Sequence, residues 1–279
     1  MVRVAAVQMQ PALLDVHGNL ARVLDLTREA AAHEARLVVF PEVSLSGYVV
    51  TPEEADGLAQ AIPCPATQAV QQACVKADVH VVLGLLERDA DGTLFNTSVL
   101  LGPQGLLARY RKTHLPLLGV DRYLAAGDAL IPPVVTPAGR LGLLICYDLR
   151  FPEPCRVLAL LGAQVIGLST AWPAAGTLYP EFIARSRAAE NRVYLVAANR
   201  CGEESGTRYL GRSVIVAPDG EILAEGSTDR EETLYAEIDP ARSDVKRLVF
   251  AAGEYELDVW GDRRPELYAP IARDSLLPS

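Results

Sequence analysis

The chain has 279 residues, half of them apolar and 22% charged, a composition typical of a globular enzyme. Its formal net charge is −9 and no basic run offsets it, so we expect neither nucleic acid nor an anionic membrane as a partner. No stretch of about 18 apolar residues occurs, so we expect no membrane-spanning helix. Polar residues also interrupt the N-terminal apolar run too early for a signal peptide.

Short runs rich in Val, Ile and Leu alternate with Ala-rich segments of helical length. The predicted strands are Val2–Met9, Leu37–Phe40, Val79–Leu86, Ser98–Leu101, Leu141–Cys146, Gln164–Leu168, Val193–Ala198 and Ser213–Ala217. The predicted helices are Asn19–Ala35, Ala66–Ala77, Pro152–Leu161 and Pro180–Asn191. Several strands are apolar on both faces, as in strands covered by helices on one side and by another layer on the other. The pattern predicts an α/β or layered α+β fold.

Two segments of the chain repeat one pattern. Residues 98–108 and 213–224 each begin with Ser-Val, continue as an apolar strand, turn at a Pro-x-Gly sequence and return, so each predicts a β-hairpin. A strand, a helix and a second strand precede each hairpin in the same order. This predicts two similar half-structures whose sheets pack together, although Pro-x-Gly turns are common enough for a chance likeness.

No linker rich in Pro, Ser or Gly divides the two halves, so we expect a single domain over residues 1–279. Residues 240–279 carry mixed charge and the aromatic residues Tyr255, Trp260 and Tyr268. We expect them to form a C-terminal arm that packs on the body or on a second subunit.

The five cysteines are scattered along the chain, at positions 64, 74, 146, 155 and 201. No Cys-x-x-Cys pair occurs, and no Cys and His stand at the spacing of metal ligands. The sequence therefore predicts neither a disulfide framework nor a zinc site. Free thiols are usual in the reducing cytoplasm, where we expect the protein to be.

Three polar residues stand where an apolar strand ends: Glu42, Lys112 and Cys146. Strand ends give side chains a rigid support beside flexible loops, the usual location of catalytic groups in layered α/β proteins. Each residue also has an ordinary structural explanation. A cysteine that closes a strand is commonly a core residue, and a lone Glu or Lys is commonly solvated.

Together the three residues form a coherent set for nucleophilic catalysis. A thiol with an ordinary pKa of about 8.5 is mostly protonated at neutral pH, so it needs a base or a neighbouring cation. Glu42 could accept the thiol proton and return it to the leaving ammonia, while Lys112 could stabilise the thiolate and the oxyanion. The same carboxylate could then activate water against the thioester.

The segments around these residues resemble the nitrilase superfamily, the carbon–nitrogen hydrolases, over nearly the whole chain. The matching motifs are Phe40-Pro-Glu42 with Ser46-Gly-Tyr48, Tyr110-Arg-Lys112-Thr-His-Leu-Pro116, Cys146-Tyr-Asp-Leu-Arg-Phe-Pro-Glu153, Glu190-Asn-Arg-Val-Tyr194 through Ala197-Ala-Asn-Arg200, Gly211-Arg-Ser213 with Pro218-Asp-Gly220, and Trp260-Gly-Asp-Arg-Arg-Pro-Glu-Leu-Tyr268. The resemblance implies a four-layer α-β-β-α sandwich with internal pseudo-two-fold symmetry, no metal or organic cofactor, and assembly into homodimers or larger homo-oligomers.

The resemblance also implies residue roles. The family's catalytic Glu, Lys and Cys correspond to Glu42, Lys112 and Cys146, and the backbone N–H of Tyr147 joins the lysine in holding the oxyanion. Most members carry a second glutamate after the lysine motif. Here Asp121 is the nearest carboxylate, and because it is one methylene shorter it takes that role only if its loop comes closer.

Members of the superfamily hydrolyse nitriles, primary amides or N-carbamoyl compounds, or transfer acyl groups. The Tyr-Asp-Leu-Arg-Phe sequence after Cys146 resembles the amidase branch rather than true nitrilases. We therefore expect a small-molecule amide as substrate, with N-carbamoyl compounds and nitriles as alternatives. The candidate pocket residues are Tyr48, Arg150 and Trp172. Neither the membrane segments of apolipoprotein N-acyltransferases nor the ATP-binding domain of glutamine-dependent synthetases accompanies these motifs.

Two other functions remain open from the sequence: a Cys–His hydrolase in which His114 is the base, and a catalytically silent binding protein that retains the fold. For His114 we favour an anchoring role in its own loop. Arg150 could bind a substrate carboxylate or pair with Asp148 or Glu153. We favour the pairing, because both acids are sequence neighbours and a buried arginine needs a partner.

Overall fold

Two six-stranded β-sheets form the centre of the computed structural model, which describes residues 1–273. In chain order the strands are β1 (Val2–Gln8), β2 (Ala35–Val39), β3 (His80–Arg88), β4 (Leu94–Gly102), β5 (Gly105–Arg111), β6 (Val134–Thr136), β7 (Gly139–Ile145), β8 (Val165–Thr170), β9 (Tyr194–Asn199), β10 (Glu203–Glu204), β11 (Thr207–Arg208), β12 (Val214–Val216), β13 (Ile222–Glu225), β14 (Glu232–Ile238), β15 (Arg247–Ala251) and β16 (Tyr255–Asp258). The α-helices are α1 (Val16–Ala32), α2 (Pro52–Leu58), α3 (Pro65–Ala77), α4 (Pro152–Leu160) and α5 (Ala184–Asn191).

The two sheets have one strand order, which confirms the duplication predicted from the repeated segments. The first sheet runs β14-β1-β2-β3-β4-β5 and the second β6-β7-β8-β9-β12-β13. In each sheet three parallel strands are flanked by an antiparallel edge strand on one side and by an antiparallel hairpin on the other. The two hairpins, β4–β5 and β12–β13, contain the repeated sequence.

The inner faces of the sheets pack against each other, with β1 against β9, β2 against β8 and β4 against β7. Val39 and Val82 of the first sheet share one buried cluster with Leu143 and Ile166 of the second. Helices α1 and α3 contact the first sheet and α5 contacts the second, while buried residues of α4 join the shared cluster. The fold is therefore the α-β-β-α sandwich that the resemblance implied. Strands β8 and β9 are buried along their whole length, which explains their continuous apolar sequence.

The first predicted helix was placed three residues too late at both ends. Helix α1 begins at Val16 because the Asp15 carboxylate caps it, accepting a hydrogen bond from the backbone N–H of Gly18 at 2.9 Å. The chain leaves the helix through Glu34, whose φ is 64°, and Ala35 already belongs to β2. Apolar periodicity locates a helix, whereas caps decide where it starts and stops.

Helix α2 and strand β14 are among the elements that were not predicted. Helix α2 has only seven residues and depends on a capping box, in which Thr51 and Glu54 each bond the other's backbone N–H. Strand β14 pairs with β1 and completes the first sheet, although it lies after the second half in the chain. Its alternation of polar and apolar residues is the usual pattern of an edge strand with one solvated face.

The segment after residue 240 begins against the body of the molecule. Lys246 Nζ donates to the carbonyl oxygens of Asn191 and Arg192 at 3.0 Å each, and lies 4.9 Å from the centroid of the Trp260 ring. Strands β15 and β16 then form a hairpin that exposes several apolar side chains. Self-association through this arm stays a prediction, and its residues 274–279 lie outside the described part of the chain.

None of the helices within residues 1–273 has the length and apolar character that crossing a bilayer requires.

Candidate active site

The Glu42 loop lies where the two sheets meet. The backbone N–H of Glu42 donates to the carbonyl oxygen of Thr170, the last residue of β8, at 3.3 Å. Glu42 is fully buried rather than a surface turn residue. The loop therefore carries a carboxylate from the first half of the molecule to a strand end of the second half.

Gly84 in β3 makes this loop position possible. A Cβ at Gly84 would lie 2.7 Å from Val43 N and 2.8 Å from Pro41 O, so any larger residue would push the loop away. The Gly84 carbonyl also accepts a hydrogen bond from Ser44 N at 2.9 Å. Val43 has a φ of 42°, an unusual conformation for a β-branched residue, which shows how tightly the surroundings fix the loop.

Lys112 stands at the centre of a buried charged cluster. Its Nζ donates to Glu42 Oε1 at 2.6 Å and also to Asp121 Oδ2, and all three side chains are fully buried. Asn96 Nδ2 donates to Glu42 Oε1 at 2.7 Å and to Asp121 Oδ1 at 2.8 Å. The Tyr48 hydroxyl donates to Asp121 Oδ2 at 2.8 Å. The structure thus brings Asp121 to the lysine despite its shorter side chain.

The electrostatics of this cluster keep Lys112 positively charged and make the Glu42 carboxyl easier to protonate than an ordinary glutamate. Burial raises the pKa of Glu42; Lys112 opposes that rise, while the Asp121 charge adds to it. Burial alone would lower the pKa of Lys112, but the Glu42 and Asp121 charges outweigh it and hold that pKa well above its ordinary value. Lys112 therefore stays positive throughout the neutral range.

Cys146 lies on a sharp turn that begins as β7 ends at Ile145. Its φ is 42°, and the residues Cys146–Arg150 form a 3-10 turn. A left-handed conformation in a non-glycine residue costs on the order of 1–3 kcal/mol and is usually kept where function needs it. The first N–H groups of such a turn, that of Tyr147 among them, lack partners within the turn and can receive an anion.

The surroundings of the Cys146 thiol favour its protonated form. Burial raises its pKa well above the ordinary range and the Glu42 charge raises it further, while Lys112 and the Thr170 hydroxyl oppose that rise. The two charges that act most strongly on the thiol are thus those of Glu42 and Lys112. Because Glu42 N and the Cys146 sulfur both lie against Thr170, the Glu42 carboxyl and the Cys146 thiol belong to one site.

Asp148 joins the lysine segment to the cysteine turn. Its carboxylate accepts hydrogen bonds from Ile145 N at 3.0 Å, Tyr110 Oη at 2.8 Å, Thr113 Oγ1 at 3.0 Å and His114 N at 3.0 Å. His114 Nδ1 also lies 2.9 Å from Asp148 Oδ1. His114 therefore anchors its own loop, in agreement with the role we favoured for it.

The expected pairing of Arg150 with Asp148 or Glu153 was wrong. Asp148 is already occupied by residues that are distant in sequence, and Arg150 is exposed, with no ion pair to any residue in the described range 1–273. Burial raises the pKa of Tyr179 to about 12, and the positive charge of Arg150 opposes part of that rise.

Trp172 is fully buried and stacks on Tyr179, with ring centroids 5.2 Å apart and planes at 10°. We predicted Trp172 as a pocket residue, and the structure places it behind Tyr179 in the core. Tyr179 was missed because it begins a π-helical turn that the sequence pattern does not distinguish from an ordinary helix start.

A cavity of about 150 Å³ opens beside Tyr48. Tyr209 and the turn residues Gly119, Arg122 and Tyr123 line it. Tyr48 thus lines a cavity, and its contact with substrate stays a prediction. Tyr209 was not predicted: it is 2% exposed, its hydroxyl has no hydrogen-bond partner among residues 1–273, and burial raises its pKa, while the Arg200 charge opposes that rise.

Asn96 was also missed by sequence reasoning, although a signal was present. It belongs to a run of three buried polar residues, Asn96 to Ser98, inside an otherwise apolar strand. Buried polar groups are informative because their desolvation must be compensated by hydrogen bonds. Within residues 1–273, no group of three or more His, Cys, Asp or Glu side chains is arranged to hold a metal ion.

Comparison with known proteins identifies the class. A family model described as carbon-nitrogen hydrolase matches residues 3–247. A protein named nitrilase from Pyrococcus abyssi is 37% identical over 273 residues, which cover 96% of this chain and 99% of the relative. The human omega-amidase is 32% identical over 280 residues, which cover 96% of each chain.

A solved structure agrees. A variant of the amidase from Nesterenkonia sp. AN1, which shows the Michael addition of acrylamide at the active-site cysteine, matches with a TM-score of 0.81 at 26% identity, over 97% of this chain and 100% of that chain. The fold, the motifs and these likenesses define a carbon–nitrogen hydrolase. This chain belongs to that family, and within the nitrilase superfamily it is an enzyme of the amidase-like branch.

Proposed function

We propose that the enzyme hydrolyses the C–N bond of a small linear amide through a thioester on Cys146. The observation that carries the proposal is the buried Lys112, held between Glu42 and Asp121 at the junction where Cys146 turns out of β7. In this arrangement a base, a fixed cation and a nucleophile come from three different strand ends.

Acylation begins with proton transfer. Because the surroundings of the Cys146 thiol favour its protonated form, Glu42 removes its proton as the sulfur attacks the carbonyl carbon of the amide. The C=O bond becomes a single bond, and the resulting oxyanion is held by the Lys112 ammonium and the Tyr147 N–H. Glu42, now protonated, gives its proton to the nitrogen, the C–N bond breaks, and ammonia leaves behind a thioester.

Hydrolysis of the thioester uses the same groups, and Glu42 again acts first as a base and then as an acid. Glu42 takes a proton from water, the hydroxide attacks the thioester carbon, and the oxyanion is held by the same two groups. Collapse breaks the C–S bond, and Glu42 returns the proton to the thiolate. One amide and one water give one acid and one ammonia, with every proton passing through Glu42.

The raised pKa of Glu42 suits this cycle. An ordinary glutamate is a poor base toward a thiol whose own pKa is elevated. Because burial also raises the pKa of Glu42, the difference in pKa between the Cys146 thiol and the Glu42 carboxyl becomes smaller. Protonated Glu42 is then also a competent acid for the leaving nitrogen. The fixed Lys112 charge supplies stabilisation at the oxyanion without any change of its own protonation.

The size of the substrate is limited by burial. Cys146 is only 7% exposed, which favours a short acyl group. The relatives named nitrilase and omega-amidase differ in the bond that they cleave, so the leaving group is best decided by measurement. An ammonia-release screen over short aliphatic amides, omega-amides, N-carbamoyl amino acids and nitriles should show the highest kcat/KM for amides.

Mass spectrometry tests the covalent step. Wild-type protein incubated with a slow amide should carry the acyl mass on the peptide that contains Cys146, and Cys146→Ala should lose both adduct and turnover while keeping its thermal stability. Cys155→Ala is the matched control, because this thiol is also buried with its pKa raised to about 12, yet it packs in α4. An adduct on any other cysteine peptide would exclude Cys146 as the nucleophile.

We propose the cytoplasm as the location. All five cysteines are free thiols in the described residues, as expected in a reducing compartment. Cell fractionation with activity in the membrane or secreted fraction would contradict this.

A further inference from the structure

A second buried ion pair lies close to the active site and has no part in the reaction described above. Arg200 and Glu204 follow β9, and Arg200 NH2 donates to Glu204 Oε2 at 2.8 Å. Arg200 is fully buried and Glu204 is 5% exposed. Buried ion pairs contribute little net stability, because the desolvation of both charges offsets their attraction, so a pair at this place invites another explanation.

The other oxygen of Glu204 holds the backbone of the Tyr48 segment. Glu204 Oε1 accepts hydrogen bonds from Tyr48 N at 2.8 Å and from Val49 N at 2.6 Å. Gly47 permits this approach: it has a φ of +83°, and a Cβ there would lie 2.5 Å from Glu204 Oε2. The carboxylate thus ties a loop of the first half of the molecule to the end of β9 in the second half.

Tyr48 passes this constraint to the charged cluster. Its hydroxyl donates to Asp121 Oδ2, and Asp121 accepts the hydrogen bond from Lys112. Its ring packs with Tyr209 in one buried cluster, and the Arg200 guanidinium lies 4.0 Å from the centroid of the Tyr209 ring. The Arg200–Glu204 pair therefore fixes both the backbone of Tyr48 and the aromatic ring beside it.

We infer that Glu204 is a positioning residue for the reaction: by holding the Tyr48 backbone it keeps the phenol on Asp121, and through Asp121 it orients the Lys112 ammonium toward the oxyanion. This inference rests on the proposed function, because it assigns Glu204 to a step that Lys112 carries out. The Lys112 hydrogen bond to the oxyanion strengthens only in the transition state, so a misaligned lysine lowers kcat more than it raises KM.

Glu204→Gln tests the inference, since it keeps the shape of the side chain and removes the charge that pairs with Arg200. We expect kcat to fall by roughly 10- to 100-fold, as for a small misplacement of a catalytic group, with KM changed by less than about threefold. Glu203→Gln is the matched control, because Glu203 precedes it in β10 and its side chain is exposed. This control should leave kcat and KM unchanged.

Tyr48→Phe provides the second variant, because it removes only the hydroxyl that reaches Asp121. If Glu204 acts through Tyr48, the double variant Glu204→Gln/Tyr48→Phe should lose no more activity than the more damaged single variant. Losses that multiply would overturn the inference, as would a lowered Tm with kcat intact in Glu204→Gln. If Glu204→Gln does not fold, a normal kcat in Tyr48→Phe overturns it and a reduced kcat at unchanged KM supports it.

The acyl adduct on wild-type Cys146 separates this inference from the proposed function. Absence of any Cys146 adduct contradicts the mechanism as a whole. A normal adduct in wild type, together with an unchanged acylation rate in Glu204→Gln, contradicts the role of Glu204 alone.

Discussion

The two halves of the molecule share a strand order but carry different chemistry at corresponding strand ends. Glu42 follows β2 and Lys112 follows β5, whereas the residues that follow the corresponding strands β8 and β13 are uncharged. Cys146 follows β7, whereas the buried Met9 follows the corresponding strand β1. The first half thus supplies the charges and the second half supplies the thiol.

The difference teaches that the shared strand order provides the support, whereas the residues at corresponding strand ends provide the site. Each sheet holds its strand ends rigidly, and the reactive groups meet only because the sheets pack together. The hydrogen bond from Glu42 N to Thr170 O and the approach of Ser98 Oγ to Ser169 Oγ, at 3.5 Å, join the two halves at this junction. Removing the contribution of one half should therefore stop the chemistry while leaving both sheets folded.

The largest effect is expected from Glu42→Gln, which leaves the thiol of the second half without a base in the first. Asn96 and Lys112 donate to Glu42 Oε1 and can still donate to an amide oxygen, so the fold should be preserved. Turnover should fall by about 10²–10⁴ or more, because an amide cannot take the proton. Steady-state kinetics and a thermal melt measure both, and a rate within a few-fold of wild type would rule out the base role.

The pH dependence of kcat/KM also tests the role of Glu42 as the base. Glu42 must be ionised to act as a base, and burial raises its pKa above the ordinary value of about 4.3. On lowering the pH, kcat/KM of the wild type should therefore decline at a higher pH than an ordinary glutamate would give. Lys112 should contribute no alkaline decline near neutrality, because its pKa is held well above its ordinary value. An acid limb below about pH 4 would contradict this assignment.

A smaller loss is expected from Asp121→Asn, which weakens one of the two carboxylate contacts of Lys112. Asp121 accepts a hydrogen bond from Lys112, and if it takes no proton itself, kcat should fall by about 10- to 100-fold, the size of one charge-assisted hydrogen bond. The Asp121 charge raises the pKa of Glu42, so its removal should move the acid limb to lower pH. A loss equal to that of Glu42→Gln would mean that the two carboxylates share the base role.

How much of the fold and the site could be predicted depends on how far apart in sequence the interacting residues are. The strands and the three strand-end residues were predictable, because apolar runs and local motifs mark them. Asp121 was identified only as the nearest carboxylate, and its contact with Lys112 depends on the path of a loop. Asp148 was assigned to the wrong partner, because sequence proximity suggested Arg150, whereas the fold brings Tyr110, which is 38 residues away.

Glu204 and Asn96 could not be assigned for the same reason. Glu204 bonds a loop 156 residues earlier in the chain, and Asn96 reaches Glu42 across 54 residues. Such contacts arise from the packing of the two halves, and a single sequence carries no pairing information for them. The duplication was predictable because hairpin turns are local in sequence. The contacts that join the two halves at the site could be seen only in the structure.

The smallest effect concerns Arg150, a residue of the second half that the structure leaves without a carboxylate partner among residues 1–273. Its backbone is held independently, because Arg187 donates to the Arg150 carbonyl oxygen at 3.1 Å. The guanidinium can therefore be removed without loosening the Cys146 turn. Its exposed guanidinium lies in the turn that begins at Cys146, a position that suits recognition of a carboxylate at the far end of the substrate.

We predict that Arg150→Met raises KM for amides that carry a distal carboxylate by about tenfold, the effect of one hydrogen bond to a charged group, and leaves neutral amides unchanged. The value of kcat and the Tm should stay near wild type, because the guanidinium makes no ion pair within residues 1–273. Arg122→Met is the control, since Arg122 is another exposed arginine but lines the cavity beside Tyr48. If Arg122→Met instead raises KM only for amides with a distal carboxylate, the carboxylate is bound by the first half of the molecule. If Arg150→Met impairs all substrates alike and lowers Tm, Arg150 has a structural role and does not bind the substrate. The second half then contributes only the Cys146 thiol to the reaction.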